Sequence, residues 1–158
     1  MTVSVDPTDN PGVIAQPPRI FLAALAAGFA LELAWPTHFV HGVWRFASGA
    51  LVLALGAWLV STAMRQQRAA GTNIETHRPT ETIVSDGLYR FSRNPIYIGL
   101  FGIYLGMAVL GDSLWVLALV VPLFAVMHFG VILREERYLD RKFGDTYRRY
   151  RASVRRWL

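Results

Sequence analysis

The sequence predicts an all-α integral membrane protein with about four transmembrane helices and a C-terminal amphipathic helix at the interface. Three observations carry that expectation. The chain is 53% hydrophobic and its mean hydropathy is +0.32, yet sixteen of its 158 residues are Lys or Arg. Apolar bulk and positive charge are segregated along the chain, the pattern of spans joined by charged connectors. The long apolar stretches also lack the regular polar face of a soluble helix.

Residues 1–18 contain Asp6, Asp9 and four prolines, and no Lys or Arg. This is a poor signal-peptide start. The segment reads as a disordered tail, and residues 19–158 as one membrane-embedded domain. Any export would use the first span as an uncleaved anchor. That span runs from about Ile20 to Trp35, between Pro17-Pro18-Arg19 and Pro36. The second runs from about Val43 to Met64, the third from about Ile96 to Gly111, and the fourth from about Leu114 to Leu133. A span needs roughly 20 residues, so the first and third are at the short end.

Charge sets the expected orientation. Arg65, Arg68, Arg78, Arg90 and Arg93 fall between spans two and three, and eight arginines with Lys142 follow span four. The turn Gly111-Asp112-Ser113 has no basic residue. The positive-inside rule then puts both termini and the middle loop in the cytoplasm, as for a prokaryotic inner-membrane protein. The middle loop, Arg65 to Pro95, holds turn signals, aromatics and an Ile83-Val84 pair without low complexity, and reads as ordered. In the tail, Phe143, Tyr147, Tyr150, Val154 and Trp157 recur at helical spacing, with arginines elsewhere on the same helix. Such a helix anchors at a membrane surface or covers a site.

Several functions are excluded or disfavoured. The absence of cysteine removes disulfides, thiolate metal sites and a Cys nucleophile. His38, His41, His77 and His128 are scattered and form no HExxH pattern, so no metal site is expected. No DNA-binding module accompanies the basic charge, which lies beside the spans, so no nucleic-acid partner is expected.

Two segments can carry chemistry. The first is the end of span four, from His128 through Glu135-Glu136. At about 100° per residue, seven residues make nearly two turns, so an unbroken α-helix puts His128 and Glu135 on one face and Glu136 about 80° round. A histidine within a span is a functional candidate by default. The second is Asp86-Gly87-Leu88-Tyr89-Arg90-Phe91-Ser92-Arg93-Asn94-Pro95-Ile96-Tyr97-Ile98-Gly99. Gly87 permits a turn and Pro95 suits the first position of a helix. Arg93 and Asn94 precede that helix N-terminus, a natural place to hold an anion. Tyr89 and Tyr97 can stack on a planar ligand or anchor at the interface. Glu32, near the far end of span one, has no assigned role.

Together the motifs Gly87-Leu88-Tyr89, Arg93-Asn94-Pro95-Ile96-Tyr97-Ile98-Gly99, Glu135-Glu136 and Phe143-Gly144-Asp145-Thr146-Tyr147-Arg148-Arg149-Tyr150 resemble a family of membrane methyltransferases. It includes isoprenylcysteine carboxyl methyltransferase and the phospholipid N-methyltransferases. The resemblance covers about three-fifths of the chain, Arg65 to Leu158, and is nearest to short prokaryotic members. Asn94 stands where the carboxyl methyltransferases usually carry His, whereas an Asn-Pro form is familiar among the phospholipid enzymes.

The resemblance implies S-adenosylmethionine as cofactor, with S-adenosylhomocysteine as product, bound by the region 77–158. The implied cofactor-binding residues are Gly87, Leu88, Tyr89, Arg93, Asn94, Pro95, Tyr97, His128, Glu135 and Glu136. Glu135 or Glu136 would hold the ammonium, Arg93 with Asn94 the carboxylate, and Tyr89 or Tyr97 would stack on adenine. Glu135, His128 and Arg93 are the catalytic candidates. Glu135 or His128 would deprotonate an amine acceptor, while a carboxylate or thiolate acceptor needs no base. The expected partners are membrane lipid and a lipophilic acceptor: an isoprenylcysteine-type carboxylate, a phospholipid amine or another small amphiphile. Two alternatives remain at this level. One is an NADPH-dependent membrane reductase of the sterol or steroid type, which has a similar Pro-x-Tyr-x-Gly segment. The other is a non-enzymatic basic adaptor on anionic lipid. The oligomeric state is open.

Overall fold

The structure, a computed structural model, describes residues 9–40, 42–76 and 78–158. Helices form wherever the apolar runs allow, and prolines and glycines mark their limits. Pro17 and Pro18 open α1 (Pro17–Ala34), where their missing N–H groups would find no partner in any case. A loop leads to α2 (Trp44–Ala69), which outruns the expected second span by more than one turn and carries Arg65 and Arg68 into the middle loop. A single 3-10 turn, Gly87–Arg90, precedes α3 (Pro95–Leu110), again opened by proline. Ser113 caps the next helix by accepting a 3.2 Å hydrogen bond from Val116 N.

Span four is a segmented rod: α4 (Leu114–Ala118), α5 (Val120–Met127), a π-helical turn (His128–Ile132) and α6 (Leu133–Phe143). Pro122 offers no N–H to the carbonyl of Ala118, four residues earlier, which is where α4 breaks. The rod continues ten residues past the expected end at Leu133. The tail helix expected through Trp157 is shorter and interrupted. Gly144, at φ +51°, separates α6 from α7 (Asp145–Ser153), and Val154 is extended. Only glycine adopts that φ cheaply, and the helical spacing of the tail aromatics hides the break.

Among the described residues, three elements are long and apolar enough to cross a membrane: α1, α2 and the thirty-residue rod. The sixteen residues of α3 rise about 24 Å, short of a typical hydrocarbon core of about 30 Å. Only 17% of the apolar windows of α1 and α2 is buried within the protein. Leu22, Leu51, Leu55, Trp58 and Val121 point outward, as lipid-facing residues do. The chain therefore runs up and down as a polytopic membrane protein. The loop 35–43 and the turn 111–113 share one end. The middle loop and the tail share the other, here called the basic end.

Two close contacts hold the bundle. A Cβ on Gly56 of α2 would lie 2.6 Å from Ile103 N and 2.7 Å from Gly99 O of α3, so the two backbones touch only because neither side presents a side chain. In the core, the fully buried Tyr104 of α3 donates a 2.8 Å hydrogen bond to Val116 O of α4. At the turn end, Asp112 accepts from Phe39 N (2.9 Å) and Val40 N (2.8 Å) through one oxygen and meets His38 Nδ1 (2.9 Å) through the other. Glu32 accepts from Thr37 and from Ser113 Oγ (2.6 Å), which gives that residue a structural role in the same clasp.

The expected tail, residues 1–18, lies partly outside the described residues. Of its described part, Pro17 and Pro18 belong to α1, and residues 9–16 run against the rod. Ile14 N donates to Gly130 O (3.2 Å), Arg134 Nη1 to Gly12 O (2.8 Å), and Asp9 meets Lys142 Nζ (2.6 Å). His41 and His77 lie outside the described residues.

Candidate functional site

The middle loop is pinned to α2 before it enters the site. Leu88 N donates to Gln66 Oε1 (3.1 Å), and Gly87, at φ +58°, packs so closely on Gln66 that a Cβ would lie 2.1 Å from its Nε2. The 3-10 turn buries Tyr89. Ser92 Oγ then accepts from Asn94 N (3.1 Å), which fixes the approach to Pro95 and sets Arg93 and Asn94 at the mouth of α3, with Tyr97 inside its first turn.

α6 brings up the acidic pair, and its two members have different neighbours. Glu135 Oε1 accepts a 2.6 Å hydrogen bond from Tyr97 OH. Glu136, buried, accepts from Arg156 through both oxygens (Nε and Nη2, each 2.8 Å) and forms an ion pair with Arg93 Nη1 (2.9 Å). Arg93 Nη1 also donates to Tyr147 OH (3.2 Å). The end of the chain folds back to complete the arrangement. Arg93 N donates to Arg155 O (3.0 Å), and Ser92 Oγ (3.2 Å) and Asn94 Nδ2 (2.9 Å) donate to Arg156 O. Tyr150 OH donates to Tyr89 O (2.9 Å). Burial raises the pKa of Tyr89 and of Tyr150 well above the ordinary tyrosine value, so both hydroxyls stay neutral.

These groups enclose a cavity of about 350 Å³ at the basic end, within the usual range for small-molecule sites. Val60, Met64, Leu100 and Ile132 form its membrane-ward wall, and Tyr147 and Tyr150 its cover. Three carboxylates line it: Glu75, Glu135 and Glu136. Glu75 pairs with Arg78 (3.3 Å) and Glu136 with two arginines. Among the described residues Glu135 alone of the three has no cationic partner. The trio Arg93, Glu136 and Arg156 holds two positive charges and one negative. Arg93 Nε is buried and meets no acceptor, and the same holds for Thr76 Oγ1. Tyr89 OH and Gln67 Oε1 face one another without reaching hydrogen-bond geometry. All four residues line the cavity. Buried polar groups are normally satisfied, so their gathering around one cavity makes it the candidate site for a polar ligand.

Of the residues singled out from sequence, Tyr89, Arg93, Asn94, Pro95, Tyr97, Glu135 and Glu136 line the cavity. Gly87, Leu88 and His128 do not. Gly87 and Leu88 hold the turn on α2. His128 stacks on Phe124 (centroids 5.9 Å apart, 9° between planes) and meets the edge of Phe129 (4.9 Å). His128 would share the face of Glu135 only in an unbroken α-helix. The intervening π-turn has a wider hydrogen-bond repeat and shifts the register. The expected division of labour changes as well. Glu136 is paired with two arginines, and one N–H of the Asn94 amide donates to Arg156 O.

Arg156 escaped sequence reasoning, because it is one of eight tail arginines and its partner lies twenty residues away. Tyr138 escaped it too. Its hydroxyl donates to Asp9 (2.7 Å) and accepts from Thr80 N (3.2 Å), tying the N-terminal segment and the middle loop to α6. Only its place one turn below Glu135, at i+3, pointed to it.

Comparison with known proteins gives three relatives and one family. Residues 44–146 match the family model described as phospholipid methyltransferase. The chain is 33% identical over 120 residues to the protein-S-isoprenylcysteine O-methyltransferase of Schizosaccharomyces pombe, covering 74% of this chain and 50% of that protein. It is 36% identical over 96 residues to the cobalt-zinc-cadmium resistance protein CzcN of Cupriavidus metallidurans, covering 60% of this chain and 44% of that one. An uncharacterized protein of Haemophilus influenzae is 45% identical over 64 residues, its entire length and 40% of this chain. This chain thus spans half or less of the two named relatives. No solved structure matches it.

Proposed function

This chain belongs to the phospholipid methyltransferase family, and from that premise we propose that it moves a methyl group from S-adenosylmethionine to a lipophilic acceptor at the basic end of the bundle. The observation that carries this reading is the presence in one cavity of a cation-free carboxylate, Glu135, and of Arg93, whose partner Glu136 is also held by Arg156 from outside the cavity. A ligand with both an ammonium and a carboxylate complements that arrangement, and buried charges need such partners.

The residues fit the cofactor. Glu135 Oε2, to which none of the described residues donates, suits the ammonium. Arg93, with its unpaired Nε, suits the carboxylate. Tyr89 and Tyr150 suit the purine. When bound, S-adenosylmethionine supplies a sulfonium methyl, whose C–S bond breaks as the bond to the acceptor forms. The protein's own part is placement. Tyr97 orients Glu135, the folded-back tail fixes Arg93, and Tyr147 and Tyr150 exclude water. Holding reactants at near-attack distance supplies much of the acceleration in such displacements. An amine acceptor attacks only in its neutral form, having lost its proton before it enters, since Glu135 Oε2 is occupied once it holds the ammonium. A carboxylate acceptor loses none.

The apolar wall of Val60, Met64, Leu100 and Ile132 supports an amphiphilic acceptor, such as an isoprenylcysteine-type carboxylate or a phospholipid amine. The excess of arginine at this end supports a cytoplasmic orientation. The experiment is calorimetric titration of lipid-supported protein with S-adenosylhomocysteine. Wild type binds, and Glu135→Gln weakens binding by about tenfold, or about 1.4 kcal/mol. Folded wild type that does not bind rejects the cofactor, and undiminished binding by Glu135→Gln rejects the role of that carboxylate.

A further inference from the structure

Arg156 grips Glu136 with a two-pronged guanidinium contact, yet it does not line the cavity. Such a fork-to-fork pair is the strongest common geometry between these groups. Arg93 meets the same carboxylate through one nitrogen only, at the oxygen shared with Arg156 Nε, and its own Nε is left without a partner. The charge of Glu136 is therefore balanced chiefly from behind. Arg93 faces the cavity with its positive charge largely uncompensated. Were Arg156 absent, Arg93 and Glu136 would form a neutral pair. The main chain of the tail would be little disturbed, since Arg155 O and Arg156 O hold the middle loop without the side chain.

We propose that Arg156 is a positioning residue that neutralises Glu136 so that Arg93 keeps the charge needed to bind a carboxylate-bearing ligand. The inference rests on the cofactor reading above and assigns the selectivity for the amino-acid end of that ligand to a residue that does not touch it. Charge balance has a signature that structural support lacks. Loss of Arg156 should weaken ligands that carry the carboxylate and spare those that do not. Removing the charge of Glu136 as well should restore what was lost.

The test is calorimetry in lipid nanodiscs with two probes, S-adenosylhomocysteine and 5′-methylthioadenosine, which lacks the amino-acid end. Arg156→Gln should lose about tenfold affinity for the first and stay within about twofold for the second. Glu136→Gln combined with Arg156→Gln should recover most of that loss. Equal weakening of both probes, unchanged binding of S-adenosylhomocysteine, or no recovery in the double variant would each overturn the proposal. Should Arg156→Gln not fold, Arg156→Lys keeps the charge without the fork. It should stay within about threefold of wild type for both probes, and a tenfold loss for either overturns the proposal. Wild type that binds 5′-methylthioadenosine but not S-adenosylhomocysteine also overturns it. Folded wild type that binds neither rejects the underlying cofactor reading instead.

Discussion

At Glu135 the carboxylate meets one hydroxyl, that of Tyr97, while at Glu136 it meets two guanidinium groups. Adjacent residues on a helix point about 100° apart, so one can face a cavity while the other faces the tail. The same reasoning applies to Asp112 at the opposite end. The N–H groups of Val40 and Phe39, and then His38, hold its carboxyl down at about 2, from an ordinary 3.8. A depressed acid binds its proton more readily in the unfolded chain, so its contribution is complete above the ordinary value and is lost as pH falls through the folded one. Thermal unfolding in detergent should therefore show wild type losing midpoint between about pH 4 and pH 2, and Asp112→Asn should be flatter across that window. Parallel curves for the two proteins would contradict this.

The pair of α2 and α3 depends on small residues in register. Gly56 meets backbone rather than flexible side chain, so added bulk has nowhere to go. Gly56→Val should lower stability by about 1–3 kcal/mol, read as a lower midpoint in denaturant, with Ala intermediate. The rod behaves differently. Its π-turn, with Gly130 at its centre, changes which face α6 presents, and so decides that Glu135 and Glu136, not His128, reach the cavity. α7 is short, but its tyrosines are the cover of the site.

The molecule as a whole is polarised. One end is a turn without basic residues, clasped through Glu32 and Asp112, and the other gathers the middle loop, the tail and the cavity. Since the chain has no native cysteine, single cysteines report topology cleanly. Pro36→Cys and Thr146→Cys, both at exposed positions, should react with a membrane-impermeant thiol reagent from opposite sides. Position 146 should react only from the cytoplasmic side. Labelling of both from one side would reject the up-and-down path, and reversed sidedness would reject the orientation.

Sequence alone determined the helical class, the approximate spans and the two segments that meet at the cavity. Hydropathy, charge segregation and local motifs are properties of neighbouring residues, and they survive without a fold. Arg93, Asn94, Tyr97 and the acidic pair were legible for that reason. Tertiary structure decided the partners. Which tail arginine reaches Glu136, which carboxylate stays free of cations, and which way His128 points all depend on contacts across many residues. They also depend on two backbone irregularities, at the π-turn and at Gly144, that helical periodicity does not encode. Each irregularity rotates or redirects everything that follows it, so most residues that line the cavity could be named before folding, but their partners were decided only by it.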